Sequence, residues 1–178
     1  MRIRNYRLEN LPTIIQIQQA ALQTDNSTVP QPSIEAWLTN TAMDALANAF
    51  VITDDDDELN SWGQAGTLDG LEGEVAGYTT LTLFRDKDGY HFLCQGAVHP
   101  QQRGQGAGRL LLVGALNRAR ILAAEFEFEA EQEDIPIYFE ALLPARDTPS
   151  SHLAEKCEMQ AVEGVQQNGM QLYRRELW

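Results

Sequence analysis

Cysteine is scarce in this sequence of 178 residues. Its two cysteines, Cys94 and Cys157, lie far apart and have no CxxC or otherwise paired spacing. Disulfide frameworks and zinc sites both need cysteines that are close together or regularly spaced. We therefore expect a reducing compartment and no metal site.

Long apolar runs are missing as well. No run approaches the roughly 20 apolar residues that cross a bilayer, and the opening segment Met1–Tyr6 lacks the apolar core of a signal peptide. The hydrophobic fraction of 43% and the charged fraction of 22% are ordinary for a soluble globular protein. A chain of this length buries one sizeable core but is short for two domains. We expect a single cytoplasmic domain over residues 1–178.

Positive charge is the third shortage. The chain has 13 lysines and arginines against 26 aspartates and glutamates, which gives a formal net charge of -13. Binding to nucleic acid depends on a footprint of basic residues, so this balance argues against it. The acidic residues concentrate in Asp54–Glu58 and Glu125–Asp134. Two interpretations stay open: solvated loops that keep the protein soluble, or a charge that attracts a cationic amine.

The first third of the sequence predicts a strand, two helices and a second strand. Arg2–Leu8 alternates as a strand does, and Asn10 is a candidate cap for a helix over Leu11–Gln23. After a polar stretch, Ser33 caps a second helix, and Phe50–Ile52 is a short strand. Apolar residues recur at helical spacing: Ile14, Ile17 and Ala21 in the first helix, and Ile34, Trp37, Leu38 and Met43 in the second.

From Glu74 the pattern changes to a period of two. The segment Glu74–Phe84 predicts a long strand, and the turn Asp86–Gly89 leads back into Tyr90–Val98, so the two strands form an antiparallel hairpin. A loop rich in glycine and glutamine follows. It precedes a helix with a broad apolar face, formed by Leu110, Leu111, Val113, Gly114, Leu116, Ala119, Ile121 and Leu122.

The rest of the chain predicts a strand over Ile135–Leu143, a short helix over Pro149–Cys157 and a terminal hairpin. The hairpin strands Ala161–Val165 and Met170–Arg175 flank Asn168-Gly169, which is a strong turn signal. The long central helix joins two neighbouring strands, which makes that pair parallel. We therefore predict an α+β fold with a mixed, mostly antiparallel sheet flanked by about four helices.

The loop before the central helix has the features of a phosphate-binding loop. Three glycines alternate with other residues in Arg103–Gly108, so the backbone can turn tightly and direct its N–H groups into one concavity. The first N–H groups of the following helix lack internal partners, and the helix dipole is positive there. Arg103 and Arg109 add positive charge. A phosphate in this position gains hydrogen bonds and a dipole contribution of about 0.3–1 kcal/mol.

Two common phosphate loops do not fit these residues. A Walker A loop ends in Gly-Lys followed by Ser or Thr, whereas Gly108 is followed by Arg109. The dinucleotide fingerprint GxGxxG, begun at Gly104 and Gly106, needs a third glycine where Arg109 stands.

The loop Arg103–Gly108 resembles instead the acetyl-CoA signature of the GNAT superfamily, Gln/Arg-x-x-Gly-x-Gly/Ala. The preceding Val98-His99-Pro100 is similar to the Val-x-Pro that leads into this loop in the family, and the predicted element order matches from Arg2 to Glu176. The resemblance implies the GNAT acyl-CoA N-acyltransferase fold. It also implies an enzyme that moves an acetyl group from acetyl-CoA to a primary amine of a small molecule or protein, by direct transfer in a ternary complex.

The resemblance further implies which residues contact the cofactor. The backbone from Arg103 to Arg109 is expected to hold the CoA diphosphate, and the strand edge at Ala97 and Val98 is expected to pair with the pantetheine arm. The fourth and fifth strands of the family part at this point, and the thioester lies between them. The implied cofactor-binding residues are Ala97, Val98, Arg103, Gly104, Gln105, Gly106, Ala107, Gly108 and Arg109.

The resemblance is weaker in the last helix, where the family often has a tyrosine that protonates the leaving thiolate. Leu153–Met159 occupies that place, and Ala154 stands where the tyrosine would be. The general acid and base therefore stay open. Candidate proton acceptors are His99, His91 and Glu140, and candidate donors are His152, Tyr138 and Tyr173; each has an ordinary structural alternative. Cys94, in mid-strand, is expected to be a small buried residue rather than a nucleophile.

The amine is expected to bind between the first two helices, around Thr24–Trp37, with Trp62 and the acidic loop as further contributors. Trp37 is alternatively a core residue of its helix. An acyl group longer than acetyl also stays open.

The replacement at Ala154 supports a second hypothesis, a catalytically weak or inactive GNAT-like domain that has a CoA-binding, regulatory or structural role. The opening segment with Leu11-Pro12 resembles one half of tandem GNAT proteins such as mycothiol synthase, in which one half is commonly inactive. A homodimer through the hairpin Ala161–Arg175 is a further expectation from the family.

Overall fold

The computed structural model describes residues 1–25, 33–54, 73–145, 148–167 and 169–177. Within them, seven strands form one sheet: β1 (Arg2–Asn5), β2 (Ala49–Asp54), β3 (Glu74–Asp86), β4 (Gly89–Val98), β5 (Ile137–Pro144), β6 (Gln160–Gln167) and β7 (Met170–Glu176). The order across the sheet is β1-β2-β3-β4-β5-β7-β6.

Six helices accompany the sheet in the described ranges: α1 (Leu11–Thr24), α2 (Ile34–Thr39), α3 (Ala45–Asn48), α4 (Ala107–Ala123), α5 (Glu127–Glu133) and α6 (Thr148–Lys156). Neighbouring strands pair antiparallel except β4 and β5, which run parallel. The pair is parallel because the crossover through α4 and α5 returns the chain to the end of the sheet at which β4 begins. The predicted mixed sheet is confirmed.

Alternation along β4 separates the two faces of the sheet. Tyr90, Phe92 and Cys94 lie in a core that also contains residues of α4 and α6. Ala97 packs on the opposite side against a second core, built from Ile14, Ile17, Ile34, Leu38, Val51 and Tyr78. We call this second side the α1/α2 face. It also carries His91, Leu93 and Gln95 of β4, because side chains two residues apart along a strand share a face.

The first helices confirm the predicted burial but correct two details. Ile14, Ile17 and Ala21 are buried, and Ser33 Oγ accepts a hydrogen bond from Ala36 N at 3.4 Å. Asn10 does not cap α1: its Oδ1 accepts from Arg7 N at 3.0 Å and from the Arg4 guanidinium at 3.1 Å. This bonding belongs to a 3-10 turn over Leu8–Asn10, so β1 ends before Leu8. Met43 lies in a separate turn beyond the end of α2.

The stretch Glu125–Asp134 is helical at its centre, so its interpretation as a solvated loop is wrong. Within α5, Ala130 is buried, while Glu129 and Glu133 both form ion pairs with Arg85 at the end of β3. Glutamates four residues apart lie on one face of a helix, where a single guanidinium can reach both. Of the other acidic stretch, Asp54 ends β2 and residues 55–58 lie outside the described residues.

The central helix covers the sheet with a narrower stripe than predicted. Leu111, Leu112, Ala115, Leu116 and Ala119 are buried. Leu110, Val113 and Ile121, which the prediction placed on the buried face, are exposed because one stripe of a helix with 3.6 residues per turn is enough to cover the strands. The terminal strands β6 and β7 pair antiparallel, as predicted, and Asn168 of their turn lies outside the described residues.

Candidate functional site

The loop between β4 and α4 has the backbone geometry that its glycines predict. Gly104 and Gly106 adopt φ values of 80° and 88°, and open space surrounds the position of a Cβ at both. Their requirement for glycine is therefore conformational. In the described part of the chain, the N–H groups from Gly104 to Arg109 have no acceptor, and Leu110 N is the first to bond back, to Gly106 O at 3.2 Å.

The two arginines of the loop differ in their surroundings. The guanidinium of Arg103 contacts both oxygens of Asp25, at 2.7 and 3.0 Å, and its Nε donates to Val98 O at 3.4 Å. Arg103 therefore joins the end of β4 to the residue after α1. Arg109 is exposed in the first turn of α4. Its charge lowers the pKa of Cys157, but burial outweighs this effect and the pKa of that thiol is raised.

β4 and β5 part beside this loop. Their pairing runs from Tyr90 opposite Ile137 to Cys94 opposite Ala141 and ends there. The last residues of β4, Gln95–Val98, have no partner in β5, while Leu142–Pro144 continue to pair with β7. The strands thus leave one edge of β4 open over the length where the sequence predicted a bound arm.

A small cavity of about 30 Å³ lies on the α1/α2 face at this opening. Trp37 lines this cavity and also packs against the second core, and its Nε1 donates a hydrogen bond to Thr82 Oγ1 at 2.8 Å. Burial raises the pKa of Tyr78, so its phenol stays protonated at neutral pH. The residues that line the cavity are Gln18, Ile34, Trp37, Tyr78, Thr80, Gln95 and Gly96.

Sequence reasoning missed four of these lining residues: Tyr78, Thr80, Gln95 and Gly96. The signal was present in the hairpin itself. Tyr78 pairs with Ala97 and Thr80 with Gln95, so the period-two pattern already brings them onto the face of the predicted cofactor strand.

A buried charged cluster lies on the same α1/α2 face, further from the open end of β4 than the cavity. Glu140 and His91 are 3% and 2% exposed, and their Oε1 and Nδ1 atoms lie 3.2 Å apart without the alignment of a hydrogen bond. Arg174 donates to Glu140 Oε1 from Nε at 2.7 Å, with Nη2 at 2.6 Å from the same oxygen. His91 Nε2 lies 3.1 Å from Asp86 Oδ1, and the hydrogen bonds that the Asp86 carboxylate accepts from Asp88 N and from His91 lower its pKa.

The other candidate catalytic residues are dispersed. His99 Nδ1 accepts from Gln101 N at 3.3 Å and shapes the turn before the loop. His152 is exposed on α6 near Glu155, and Tyr173 is buried in the α4 and α6 core. Tyr138 lies on the α1/α2 face, where the Arg174 guanidinium stacks 4.3 Å from its ring centre. The structure therefore brings His91, Glu140 and Tyr138 together and leaves His99 and His152 apart from them.

Cys94 is a buried residue of the core. Its Sγ lies 3.1 Å from Thr79 Oγ1, and burial raises the pKa of the thiol to about 11. In the described residues, no group of three or more His, Cys, Asp or Glu side chains is placed to hold a metal ion.

The last helix departs from the family sequence pattern at the position of its tyrosine. Ala154 is fully buried, and Met159 is buried where the family has phenylalanine. Glu158, at the position of the family glycine, adopts a φ of 58°, the left-handed conformation that glycine favours.

A larger cavity of about 370 Å³ lies far from the opening, between α5 and the start of β5. Its rim is acidic, with Glu127, Glu131, Asp134 and Glu176 among the lining residues. The cavity lies at the opposite end of β5 from the parted strands.

No helix in the described ranges has the length and apolar character needed to span a bilayer.

Comparison with known proteins places the fold. Phosphinothricin acetyltransferase from Sinorhizobium meliloti in complex with acetyl-CoA superposes with a TM-score of 0.64 at 17% identity, covering 99% of this chain and 88% of that one. The protein yncA from Salmonella typhimurium, solved with acetyl-CoA, gives 0.60 at 19% identity over 99% and 94% of the two chains. Ribosomal-protein-alanine N-acetyltransferase from Brucella melitensis gives 0.62 at 19% identity over 99% and 100%.

Sequence comparison gives the family. The chain is 32% identical over 97 residues to L-2,4-diaminobutyric acid acetyltransferase from Virgibacillus pantothenticus, which covers 52% of this chain and 54% of that enzyme. The match thus spans about half the length of this curated relative. The model of the acetyltransferase (GNAT) family matches residues 19–142, which include the glycine loop, all of β4 and most of β5. The chain belongs to the GNAT family of acetyltransferases.

Proposed function

We propose that this chain transfers an acetyl group from acetyl-CoA to a primary amine. The observation that carries the proposal is the row of backbone N–H groups from Gly104 to Arg109, which lack acceptors in the described residues and lie beside the open edge of β4. A diphosphate placed there gains several hydrogen bonds and the positive end of the α4 dipole. Membership of the GNAT family supports acetyl-CoA as the molecule that carries this diphosphate.

The proposed contacts follow the order of the chain. The N–H groups of Gly104, Gln105, Gly106, Ala107, Gly108 and Arg109 hold the diphosphate. Arg109 and Arg103 add positive charge. To contact the phosphate, the Arg103 guanidinium leaves the Asp25 carboxylate. The backbone of Ala97 and Val98 binds the pantetheine arm as an added strand would, since an unpaired strand edge offers alternating donors and acceptors.

Direct transfer brings the amine and the thioester together where β4 and β5 part. The amine nitrogen attacks the thioester carbonyl carbon, a C–N bond forms, the C–S bond breaks, and the nitrogen loses a proton while the sulfur gains one. Tyr78 is our candidate donor to the leaving sulfur, because it lines the cavity and its raised pKa keeps the phenol protonated. The acceptor that we favour is a small amino acid or amine, in keeping with the small cavity and the diaminobutyrate substrate for which the relative is named.

A second candidate function is a catalytically weak or inactive domain that binds CoA. The observation in its favour is Ala154, which is fully buried and offers no phenol at the place where the family often has its general acid. This function predicts binding of CoA without turnover.

One pair of experiments distinguishes the two functions. Calorimetric titration with acetyl-CoA measures binding, and release of free CoA thiol across a panel of amino acids, diamines and peptides measures turnover. Heat together with turnover supports the enzyme, and heat alone supports the binding domain. Absence of heat at high micromolar protein would overturn both.

We also propose a single domain over residues 1–178 that acts in the cytoplasm, with no nucleic-acid partner, in line with the net charge of -13. A homodimer is proposed from the family resemblance, and sedimentation of the purified chain tests it.

A further inference from the structure

We propose that Trp37, held in place by Thr82, limits the acceptor to primary amines on an unbranched methylene group, R–CH₂–NH₂. The proposal rests on the proposed function and concerns the cavity of about 30 Å³ on the α1/α2 face. Trp37 is the specificity-determining residue. Thr82 is a positioning residue, because it acts through Trp37.

The size of the cavity limits what it can hold. Each group of the size of a water molecule needs about 10–15 Å³ of such volume. A cavity of about 30 Å³ therefore accommodates about two of them, an amino group and the methylene that carries it. A branch on the carbon beside the nitrogen adds a third group, for which there is room only if a wall moves.

The two walls of the cavity are held in different ways. The sheet forms one wall, through lining residues of β3 and β4. These strands pair without a register shift along all of β4, so main-chain hydrogen bonds fix this wall. The other wall comes from α1 and α2, whose lining residues are Gln18, Ile34 and Trp37. Trp37 has the largest side chain of the three, so its placement decides whether the cavity can widen.

The indole of Trp37 is held at two points. Its Nε1 donates a hydrogen bond of 2.8 Å to Thr82 Oγ1, 45 residues further along the chain in β3. Its ring packs against the core of the α1/α2 face, to which α2 contributes Ile34 and Leu38, each 6% exposed. A partly buried indole N–H that loses its acceptor turns toward water to find another. The Thr82 hydroxyl therefore keeps the ring against the cavity.

The register of β3 places Thr82 for this role. Tyr78, Thr80 and Thr82 share the α1/α2 face because they alternate along the strand. The Thr80 hydroxyl is already engaged, since it donates to Gln95 O at 3.2 Å. The two threonines thus have separate tasks: Thr80 bonds to the neighbouring strand, and Thr82 holds the indole.

The chemistry of the lining agrees with the limit on size. None of the lining residues that the structure describes carries a charge. A carboxylate that leaves water without a cation beside it costs free energy. The α-amine of an amino acid, whose neighbouring carbon carries a carboxylate, is therefore disfavoured by charge as well as by branching.

The test compares butylamine with its branched isomer sec-butylamine on the full chain at saturating acetyl-CoA. Each kcat/KM is divided by the rate constant of the same amine with acetyl-CoA in the absence of protein, which removes the intrinsic effect of branching. The wild-type chain is expected to prefer butylamine by about tenfold or more after this correction, the usual effect of one extra carbon in a close-fitting pocket. Equal corrected values would overturn the proposal without any variant.

Three variants assign the preference to the two residues. Trp37→Phe, whose ring is smaller and has no N–H, is expected to bring the preference below about threefold by lowering the KM of sec-butylamine. Thr82→Val keeps the shape of the side chain and loses the acceptor. It is expected to lower the preference partway, while the kcat for butylamine and the Kd for acetyl-CoA stay unchanged. Thr82→Ser keeps the hydroxyl and should retain the wild-type preference.

The matched control is Thr53→Val, which removes the hydroxyl of a buried threonine in β2 that donates to Arg2 O at 3.3 Å. Thr53 does not line the cavity, so the preference should stay at its wild-type value. A preference that survives in both Trp37→Phe and Thr82→Val would overturn the proposal. The same holds if Thr82→Ser loses as much of the preference as Thr82→Val.

Two further results are separable from these. If Trp37→Phe does not fold, the wild-type comparison and the Thr82 variants still decide the proposal. If no amine is acetylated, the proposed function fails separately. Calorimetry of the two amines in the presence of CoA then tests the cavity directly: tighter binding of butylamine supports the limit on branching, and equal binding overturns it.

Discussion

Arg103 Nη1 lies 2.7 Å from Asp25 Oδ1, and Arg103 Nη2 lies 3.0 Å from Asp25 Oδ2. The guanidinium expected to face a diphosphate is thus held by the residue after α1. A phosphate and this carboxylate would compete for the same donors, because both are anions that accept paired N–H bonds. The pair connects the proposed cofactor loop to the helix that borders the proposed amine pocket.

Removing either partner of this pair is expected to change acetyl-CoA affinity in opposite directions. Asp25→Asn removes the competitor and should tighten binding by about two- to fivefold, as expected for a partly exposed ion pair. Arg103→Gln removes a charge-assisted donor and should weaken binding by about tenfold. Calorimetric Kd values check both. Similar weakening in the two variants would show instead that the pair maintains the shape of the loop.

The glycine loop is expected to be sensitive to a single methyl group. Gly106→Ala places a Cβ on a residue with φ of 88°, which costs about 1–2 kcal/mol of backbone strain. The loop should relax away from this conformation and lose acetyl-CoA affinity by about tenfold or more. The matched control is Gly164→Ala in β6, with φ of 76° and equally open surroundings, which should lower the melting temperature without changing the Kd.

Tyr78 is expected to act through its hydroxyl. Tyr78→Phe should lower kcat by about a hundredfold if the phenol donates to the leaving sulfur, while the Kd for acetyl-CoA stays the same. Because the pKa of Tyr78 is raised, deprotonation of the phenol should not lower the rate at pH values up to about 10, the ordinary pKa of tyrosine. Tyr6→Phe is the control: Tyr6 is buried in the same core and does not line the cavity, so its loss of a hydroxyl should leave kcat unchanged.

Cys94 is expected to be unreactive and dispensable. With a pKa of about 11, its thiol carries little thiolate at neutral pH, and it is buried. Thiol reagents should modify it only after denaturation, and Cys94→Ala should keep its kcat within about threefold, since direct transfer needs no covalent enzyme intermediate. Loss of activity in Cys94→Ala with an unchanged melting temperature would contradict the mechanism.

Two arginines that stack on tyrosines are expected to differ greatly in their contribution to stability. Arg174→Met leaves Glu140, which is 3% exposed, without its guanidinium and should cost about 3–5 kcal/mol of unfolding free energy. Arg85→Met breaks ion pairs with Glu129 and Glu133, whose side chains are about half exposed, and should cost much less. Urea unfolding of both variants measures the difference, and equal costs would show that Glu140 gains solvent when Arg174 is removed.

The fold was predictable from the sequence because its signals are local. Period-two alternation located β3 and β4, and the glycines after Val98 located the start of α4. Errors arose where a distant partner decides the outcome. Arg85 lies 44 residues before Glu129 and forms an ion pair with it in the helical acidic stretch. Arg4 donates a hydrogen bond to the Asn10 side chain, which was expected to cap α1.

The candidate site was less predictable for the same reason. The glycine loop is one contiguous segment, so its phosphate-binding pattern could be recognised from the sequence alone. The cavity and the Glu140 cluster join α1, α2 and four different strands through side chains that carry no motif, such as Thr80, Gln95 and Arg174. Their proximity follows from sheet register, which period-two patterns determine within a hairpin but not across the crossover from β4 to β5.

The gap between β4 and β5 is bordered by strands that are each hydrogen-bonded to another neighbour, β3 on one side and β7 on the other. Its width is therefore a property of the main chain and not of side-chain rotamers at its rim. A library that varies only surface side chains should alter which amine is accepted far more readily than how long an acyl chain is tolerated, since lengthening the acyl group requires the two strands to separate further.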